Sequence, residues 1–397
     1  RAFEIQLPGA SLLALSPAAA AGAVLLAGFA WPALAQARAT PPARVFARSL
    51  AQHRARMWLI YAAALASVAL LAAAATRTKR IRLGTAVVNL PYHHPFDVAE
   101  RMAFLDHLTW GRVMLGCGPG VLGPDIQLFG LDPVELRPML NESTDIILKL
   151  FREDGLISYE GKYWQIKDME LQIKPYQQPH LPIYLVSSGS GNSIRVAAER
   201  GLPVISGVHT LPGAMDVSEQ WPAYEQIAKD AGHSVSRDDW RLGNLPIYLA
   251  DSMDEAKRDI AEGVMYELHN YPFKGGGKST YEAYPDQPAE EITLDQIIEQ
   301  RKWIVGDPDY CVSRIKELQE LTGGFGGLLM LTMEWTTPKK WHRSLELFAR
   351  YVIPQFNGSL RGIENSYQRM IEDNRLGRLP SAVSGAVRVD AERPARQ

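Results

Sequence analysis

The side chains able to do chemistry crowd into three short stretches of this chain. Tyr92-His93-His94-Pro95 sets two imidazoles side by side, so at most one of them points into a given site. Gly116-Cys117-Gly118-Pro119-Gly120 is a glycine-rich turn carrying one thiol. Ser187-Ser188-Gly189-Ser190-Gly191-Asn192-Ser193 sets four hydroxyls among small residues and runs directly into a helical stretch, Ile194 to Arg200. Small residues let a backbone approach a ligand closely, and the free N–H groups at a helix start attract phosphate. The chemistry that fits is a phosphate-bearing ligand; the alternative is an ordinary strand-to-helix turn. Neither histidine has an HExxH frame or a carboxylate partner, and neither Cys117 nor Cys311 has a CxxC neighbour, so no metal cluster emerges. His93 is either a loop imidazole bonded to backbone or an acid–base group beside the ligand. For Cys117, burial as a small hydrophobe is the commoner fate.

The elements that must hold these stretches are legible in the hydrophobic pattern. Ile81 to Leu90 is an almost unbroken apolar, β-branched run, which suits a strand buried on both faces of a parallel sheet. Asp97 to Leu108 places Val98, Ala99, Met102, Leu105 and Leu108 on one helical face, and Gly111 closes it. Arg112 to Cys117 is a second strand. This strand-helix-strand unit is the repeating module of an α/β barrel or a doubly wound sheet.

In their order, TKRIRLGT, LPYHHP and LDHLTWGRVMLGCGPG, these residues resemble the bacterial luciferase-like flavin monooxygenases, most of all the limonene and diketocamphane monooxygenase branch. The likeness resumes at Pro182 to Ser188, Ala197 to Gly201, Thr322 to Gly326 and Ser344 to Phe348, spanning roughly residues 77–356. It implies an α/β fold, a (β/α)8 TIM-type barrel with insertions, as a single domain over residues 1–356. It implies an enzyme that uses reduced FMN and dioxygen to oxygenate a small hydrophobic, terpenoid-like substrate, by Baeyer–Villiger insertion or epoxidation. No dinucleotide fingerprint follows a first strand, so a separate NAD(P)H flavin reductase is the expected partner. Relatives commonly form homodimers. The site is expected at the carboxyl ends of the strands, in loops 85–95, 116–120, 187–193 and 206–209 and at Glu334-Trp335. Their small, apolar composition suits a flat isoalloxazine and an oily substrate. The resemblance puts the cofactor on Thr85, Ala86, Gly116, Cys117, Gly118, Ser187, Ser188, Gly189, Ser190, Ser193 and Ser206, with His93 and His94 as the catalytic candidates. Many relatives carry an arginine where this chain has Pro119. Two other readings keep the fold: a deazaflavin-dependent oxidoreductase and a non-catalytic flavin-binding barrel.

The chain has 397 residues and a net charge of −2, which gives no sign of a nucleic-acid partner. Two cysteines without a disulfide framework point to a reducing, cytoplasmic setting. The charge is unevenly spread: Ile5 to Phe96 holds no Asp or Glu but nine Lys and Arg. Within it, residues 11–36 have the look of a secretory signal, and Met57 to Ala75 is long enough to span a bilayer although mostly alanine. The preferred reading gives this region to the first two strand-helix units, with Phe3 to Leu7 as strand one and no membrane span. Residues 1–76 are nonetheless atypical, since Gln36-Ala37 stands where relatives have a Glu-His pair ending strand two.

Further along, 122–132 reads as a loop, Pro133 to Arg152 as a helix, and Leu156 to Ile166 as a β-hairpin outside the barrel. His107 reads as structural. Residues 268–300, with Gly275-Gly276-Gly277, read as a lid, and 357–397 as a polar C-terminal tail.

Overall fold

A computed structural model of the chain describes residues 69–187, 191–208, 214–270 and 287–376. They belong to two compact units that divide between Pro182 and Ile183. The expected first two strand-helix units lie outside the described residues, as does all of the Met57 to Ala75 window except 69–75. No helix among the described residues is long and apolar enough to cross a membrane.

In the first unit a helix over 69–77 (α1) leads to β1 (Leu83–Gly84), β2 (Val88–Asn89), a 3₁₀ turn (Leu90–Tyr92), α2 (Pro95–Thr109) and β3 (Val113–Gly118). β3 runs parallel to both β1 and β2, pairing Leu83 with Val113 and Gly84 with Met114, then Val88 with Cys117 and Asn89 with Gly118. The single strand expected over Ile81 to Leu90 is therefore broken. Three residues, Thr85 to Val87, face only Leu115 and Gly116, and the extra residue bulges out of the ladder. Side-chain chemistry explains the break: the Thr85 hydroxyl donates to Gly116 O at 2.8 Å and accepts from Gly116 N at 3.0 Å, replacing the backbone pair.

Arg112, just before β3, ties α1 to α2. Its Nε donates to Thr109 O (2.9 Å), Nη1 to Thr78 Oγ1 (3.2 Å) and Ile81 O (2.7 Å), and Nη2 to Ala75 O (3.1 Å) and Thr78 O (3.0 Å). These carbonyls include ones that α1 leaves without partners at its end.

The segment 122–132 is not all loop. It contains α3 (Gly123–Phe129), with Pro124 in its first turn and Gly130 as a left-handed cap at φ 64°. At seven residues α3 is too short to show an apolar period, although both of its punctuating residues are present. α4 (Leu136–Arg152) follows, then the antiparallel hairpin of β4 (Ile157–Glu160) and β5 (Gln165–Met169), as expected.

In the second unit, β6 (Ile183–Ser187), α5 (Gly191–Glu199), β7 (Val204–Gly207), α6 (Val217–Asp230) and β8 (Trp240–Leu249) alternate, and the three strands are parallel. After α7 (Met253–Asn270) come α8 (Leu294–Arg301), β9 (Ile304–Gly306), α9 (Pro308–Thr322), β10 (Gly327–Leu331) and α10 (Pro338–Leu347). The ten-residue β8 pairs with β10 along Arg241–Pro246 and with β9 along Ile247–Leu249. β9 was not expected, because three apolar residues between two helices carry no period-2 signal.

The second half of the expected lid is core. Residues 271–286 lie outside the described residues, but Ile292 and Ile297 are buried with Tyr248, Ile260, Val264 and Trp303. Part of the expected tail is likewise regular: Arg361–Arg375 is a helix, and none of its residues is buried.

Candidate active site

In the first unit the carboxyl ends of β2 and β3 bring together the glycine turn and the two histidines. Thr85 and Gly116 are committed to one another by the two hydrogen bonds just described. A Cβ on Gly116 would stand 2.1 Å from Thr85 O, so glycine is dictated here by the close approach of a second backbone. Ala86 lies in the bulge, and Gly118 faces it, with Val87 Cγ2 3.5 Å from where a Cβ would stand. Cys117 is fully buried, and burial pushes its thiol up to about 12, so it is not a thiolate at neutral pH.

The two histidines have separate fates. His94 is the N-cap of α2: its Nδ1 accepts from Phe96 N at 3.3 Å, and its ring meets Trp164 edge-on, centroids 5.2 Å apart. Trp164 is itself fixed at the hairpin tip. Glu142 of α4 accepts from the N–H groups of Lys162, Tyr163 and Trp164, and Trp164 Nε1 donates to Ser143 Oγ at 2.8 Å. His93, one residue earlier, makes no side-chain hydrogen bond among the described residues. Its pKa is lowered, first by burial and then by Arg101, against a smaller opposing pull from Asp97. The ring is therefore neutral at pH 7 and able to accept a proton. His107 is structural, with Nε2 2.8 Å from Lys174 O.

In the second unit the register pairs Ser187 with Ser206 and Ser206 with Leu242, so both serines close adjacent parallel strands. Trp240, two residues before Leu242 and on the same face of the sheet, packs on Trp221 of α6, with ring centroids 6.1 Å apart. Ser206 therefore points toward the helix layer. Its Oγ is buried and has no hydrogen-bond partner among the described residues. Ser193, in the first turn of α5, is also buried. Ser188, Gly189 and Ser190 lie outside the described residues.

Gln220 of α6 was not singled out from sequence. Its Nε2 donates to Gly207 O and Met215 O, each at 3.2 Å, and its Oε1 is buried without a partner among the described residues. A lone glutamine on an amphipathic helix carries no sequence signal that would have found it.

Glu334-Trp335, expected on the site's rim, behaves differently. Trp335 stacks on Trp303 with centroids 4.6 Å apart, and its Nε1 donates to Glu267 Oε2 at 2.5 Å, inside the helical core of the second unit. Among the described residues, no group of three or more His, Cys, Asp or Glu side chains is placed to hold a metal ion.

A buried, unpartnered hydroxyl at a strand end, next to the strand whose loop opens α5, fits an anion held by hydroxyl and N–H donors. The family model for luciferase-like monooxygenases matches residues 47–323. The chain belongs to this family. Within the luciferase-like monooxygenases, 4-hydroxyprotoasukamycin monooxygenase of Streptomyces nodosus subsp. asukaensis is 38% identical over 78% of this chain and 82% of its own length. Limonene 1,2-monooxygenase of Rhodococcus erythropolis is 34% identical over 77% and 76%. Among solved structures, the oxygenating constituent of 3,6-diketocamphane monooxygenase of Pseudomonas putida, a type II Baeyer–Villiger monooxygenase in complex with FMN, is 27% identical. It superposes with a TM-score of 0.60 over 72% of this chain and 83% of that one. A coenzyme F420-dependent tetrahydromethanopterin reductase of Methanopyrus kandleri, 23% identical with a TM-score of 0.57 over 73% and 87%, shares the fold. The TIM-type barrel class expected from the sequence is thus the fold class of this luciferase-like monooxygenase, with Baeyer–Villiger enzymes among its relatives.

Proposed function

We propose that the chain is an FMNH2-dependent monooxygenase, the oxygenating half of a two-component system, acting on a small hydrophobic, terpenoid-like substrate by Baeyer–Villiger insertion or epoxidation. The observation that carries the cofactor reading is the buried Ser206 hydroxyl without a partner. In the second unit Ser187, Ser193 and Ser206, with the N–H groups opening α5, would hold the flavin phosphate; Ser188, Gly189 and Ser190, expected beside them, lie outside the described residues. When bound, reduced flavin and dioxygen would supply one oxygen atom to the substrate and one to water.

His93 is the group free to move a proton, holding it at a ring nitrogen only on the acid side, because burial favours the neutral ring. His94 serves by fixing the start of α2. The reductant arrives from a separate NAD(P)H flavin reductase. Two buried cysteines suit a reducing, cytoplasmic setting, and the functional unit is a homodimer.

The decisive experiment supplies chemically reduced FMN and follows oxygen uptake together with oxygenated product from cyclic ketones and alkenes. Uptake coupled to product is expected. Turnover with reduced deazaflavin and no oxygen uptake, or flavin binding without any turnover, would overturn the reading. A second measurement addresses His93. The rate is expected to fall on the acid side, below about pH 6.5, as the ring gains its proton, and His93→Ala should abolish that limb. A limb that survives in the variant removes His93 from the chemistry.

A further inference from the structure

Tyr92 closes the 3₁₀ turn that joins β2 to His93. Its ring lies flat on Phe129 of α3, with centroids 4.4 Å apart and planes 17° apart. Its hydroxyl is buried and has no hydrogen-bond partner among the described residues. Leaving a buried hydroxyl unpaired costs about 1–3 kcal/mol, and the stack on Phe129 would be as well served by phenylalanine. The oxygen atom at this position is therefore not explained by packing.

The place of that oxygen is specific. Asn89 pairs with Gly118, so Tyr92 stands just past the carboxyl ends of β2 and β3, the side on which parallel βα folds carry their reacting groups. There the hydroxyl meets the glycine turn: a Cβ on Gly120 would lie 2.3 Å from Tyr92 Oη and 2.7 Å from Cζ. Gly120, at φ 82°, keeps the phenol tip clear of any side chain. The next residue, His93, also has a ring without a hydrogen bond among the described residues. Two consecutive residues thus present a donor and an acceptor that the described residues do not satisfy. Burial, followed by the charge of Asp125, raises the Tyr92 pKa, so the phenol keeps its proton and acts as a donor throughout the physiological range.

We propose that Tyr92 is a specificity-determining residue whose hydroxyl donates a hydrogen bond to an oxygen atom carried by the substrate. This rests on the monooxygenase reading and deepens it: the preferred substrate is a ketone, because an alkene offers no oxygen to bind. In that reaction a bond between the carbonyl carbon and a neighbouring carbon breaks, and one oxygen atom of O2 bonds to both. Two electrons and two protons from the reduced flavin leave with the second oxygen atom as water. A donor on the carbonyl oxygen polarises the C=O bond and favours attack at its carbon.

The test compares wild type with Tyr92→Phe, both full-length and loaded with FMN, by calorimetric titration. Norcamphor is the ketone probe and norbornene the carbon skeleton without a carbonyl. Tyr92→Phe keeps the stack on Phe129, so its melting temperature is expected to match or exceed that of wild type. Norcamphor affinity should fall about 10-fold, the loss for one hydrogen bond to a buried donor, while norbornene affinity stays unchanged. Equal norcamphor affinity in the two proteins, or no norcamphor binding to wild type, overturns the assignment. A wild type that oxygenates norbornene yet binds norcamphor no better than the variant does leaves the monooxygenase reading standing and removes Tyr92. Tyr92-dependent norcamphor binding without oxygen uptake does the reverse.

Discussion

Gly116→Ala is expected to yield little soluble protein, and what is recovered should bind FMN at least about 10-fold more weakly than wild type. The new methyl carbon would stand 2.1 Å from Thr85 O, a backbone atom that cannot rotate away. The bulge over Thr85 to Val87 would have to move, and with it both hydrogen bonds between Thr85 and Gly116. Overpacking against a side chain costs about 1–3 kcal/mol; against backbone, with two bonds lost as well, the cost lies at or above the top of that range. Gly118→Ala is the control. Its Cβ would meet Val87 at 3.5 Å, an ordinary contact, so stability should stay near that of wild type. Thermal melts of the two variants and FMN fluorescence titration check both statements. A Gly116→Ala protein that melts with wild type would show that the close approach of Thr85 is not what demands glycine.

Arg112→Ala is expected to destabilise the first unit by about 3 kcal/mol, allowing for the partial exposure of several of its bonds. Five donors are lost at once, and the carbonyls of Ala75, Thr78, Ile81 and Thr109 are left to water or to nothing. Arg112→Lys should recover less than half of the loss. An ammonium offers one point charge in place of a planar fork that reaches two chain segments at once. Hydrogen exchange locates the effect: amides near residues 75–84 should exchange faster in Arg112→Ala, while those of β7 and β8 stay protected. Uniform loosening of both units would contradict the clamp.

The glycine turn shows how much of the site the sequence displayed and how it misled. Gly116 and Gly118 are alike on paper, both small residues where a ligand needs room. In the fold one is claimed by Thr85 and the other has ordinary space. Adjacent His93 and His94 also read as equivalents. His94 caps a helix and His93 does not, a split that depends on one residue's difference in where α2 begins. Trp335 read as a rim residue because it follows a strand, yet helices α7 and α8 enclose it against Trp303. Gln220 carried no signal at all and Tyr92 only its place beside the two histidines, since an unpartnered polar atom becomes visible only when its surroundings are in place.

By itself the sequence determined the alternation of strand and helix, the hairpin, and the two small-residue loops at strand ends. Those follow from side-chain period and from backbone freedom, which are properties of neighbours along the chain. Only the tertiary structure decided that the strand over Ile81 to Leu90 breaks at Thr85, that Arg112 clamps α1, and which hydroxyls lack partners among the described residues. These depend on atoms 31 to 37 residues apart meeting within hydrogen-bond distance. Contacts at that separation leave no period in the sequence and arise only when the packed elements fix which face of each strand meets which helix.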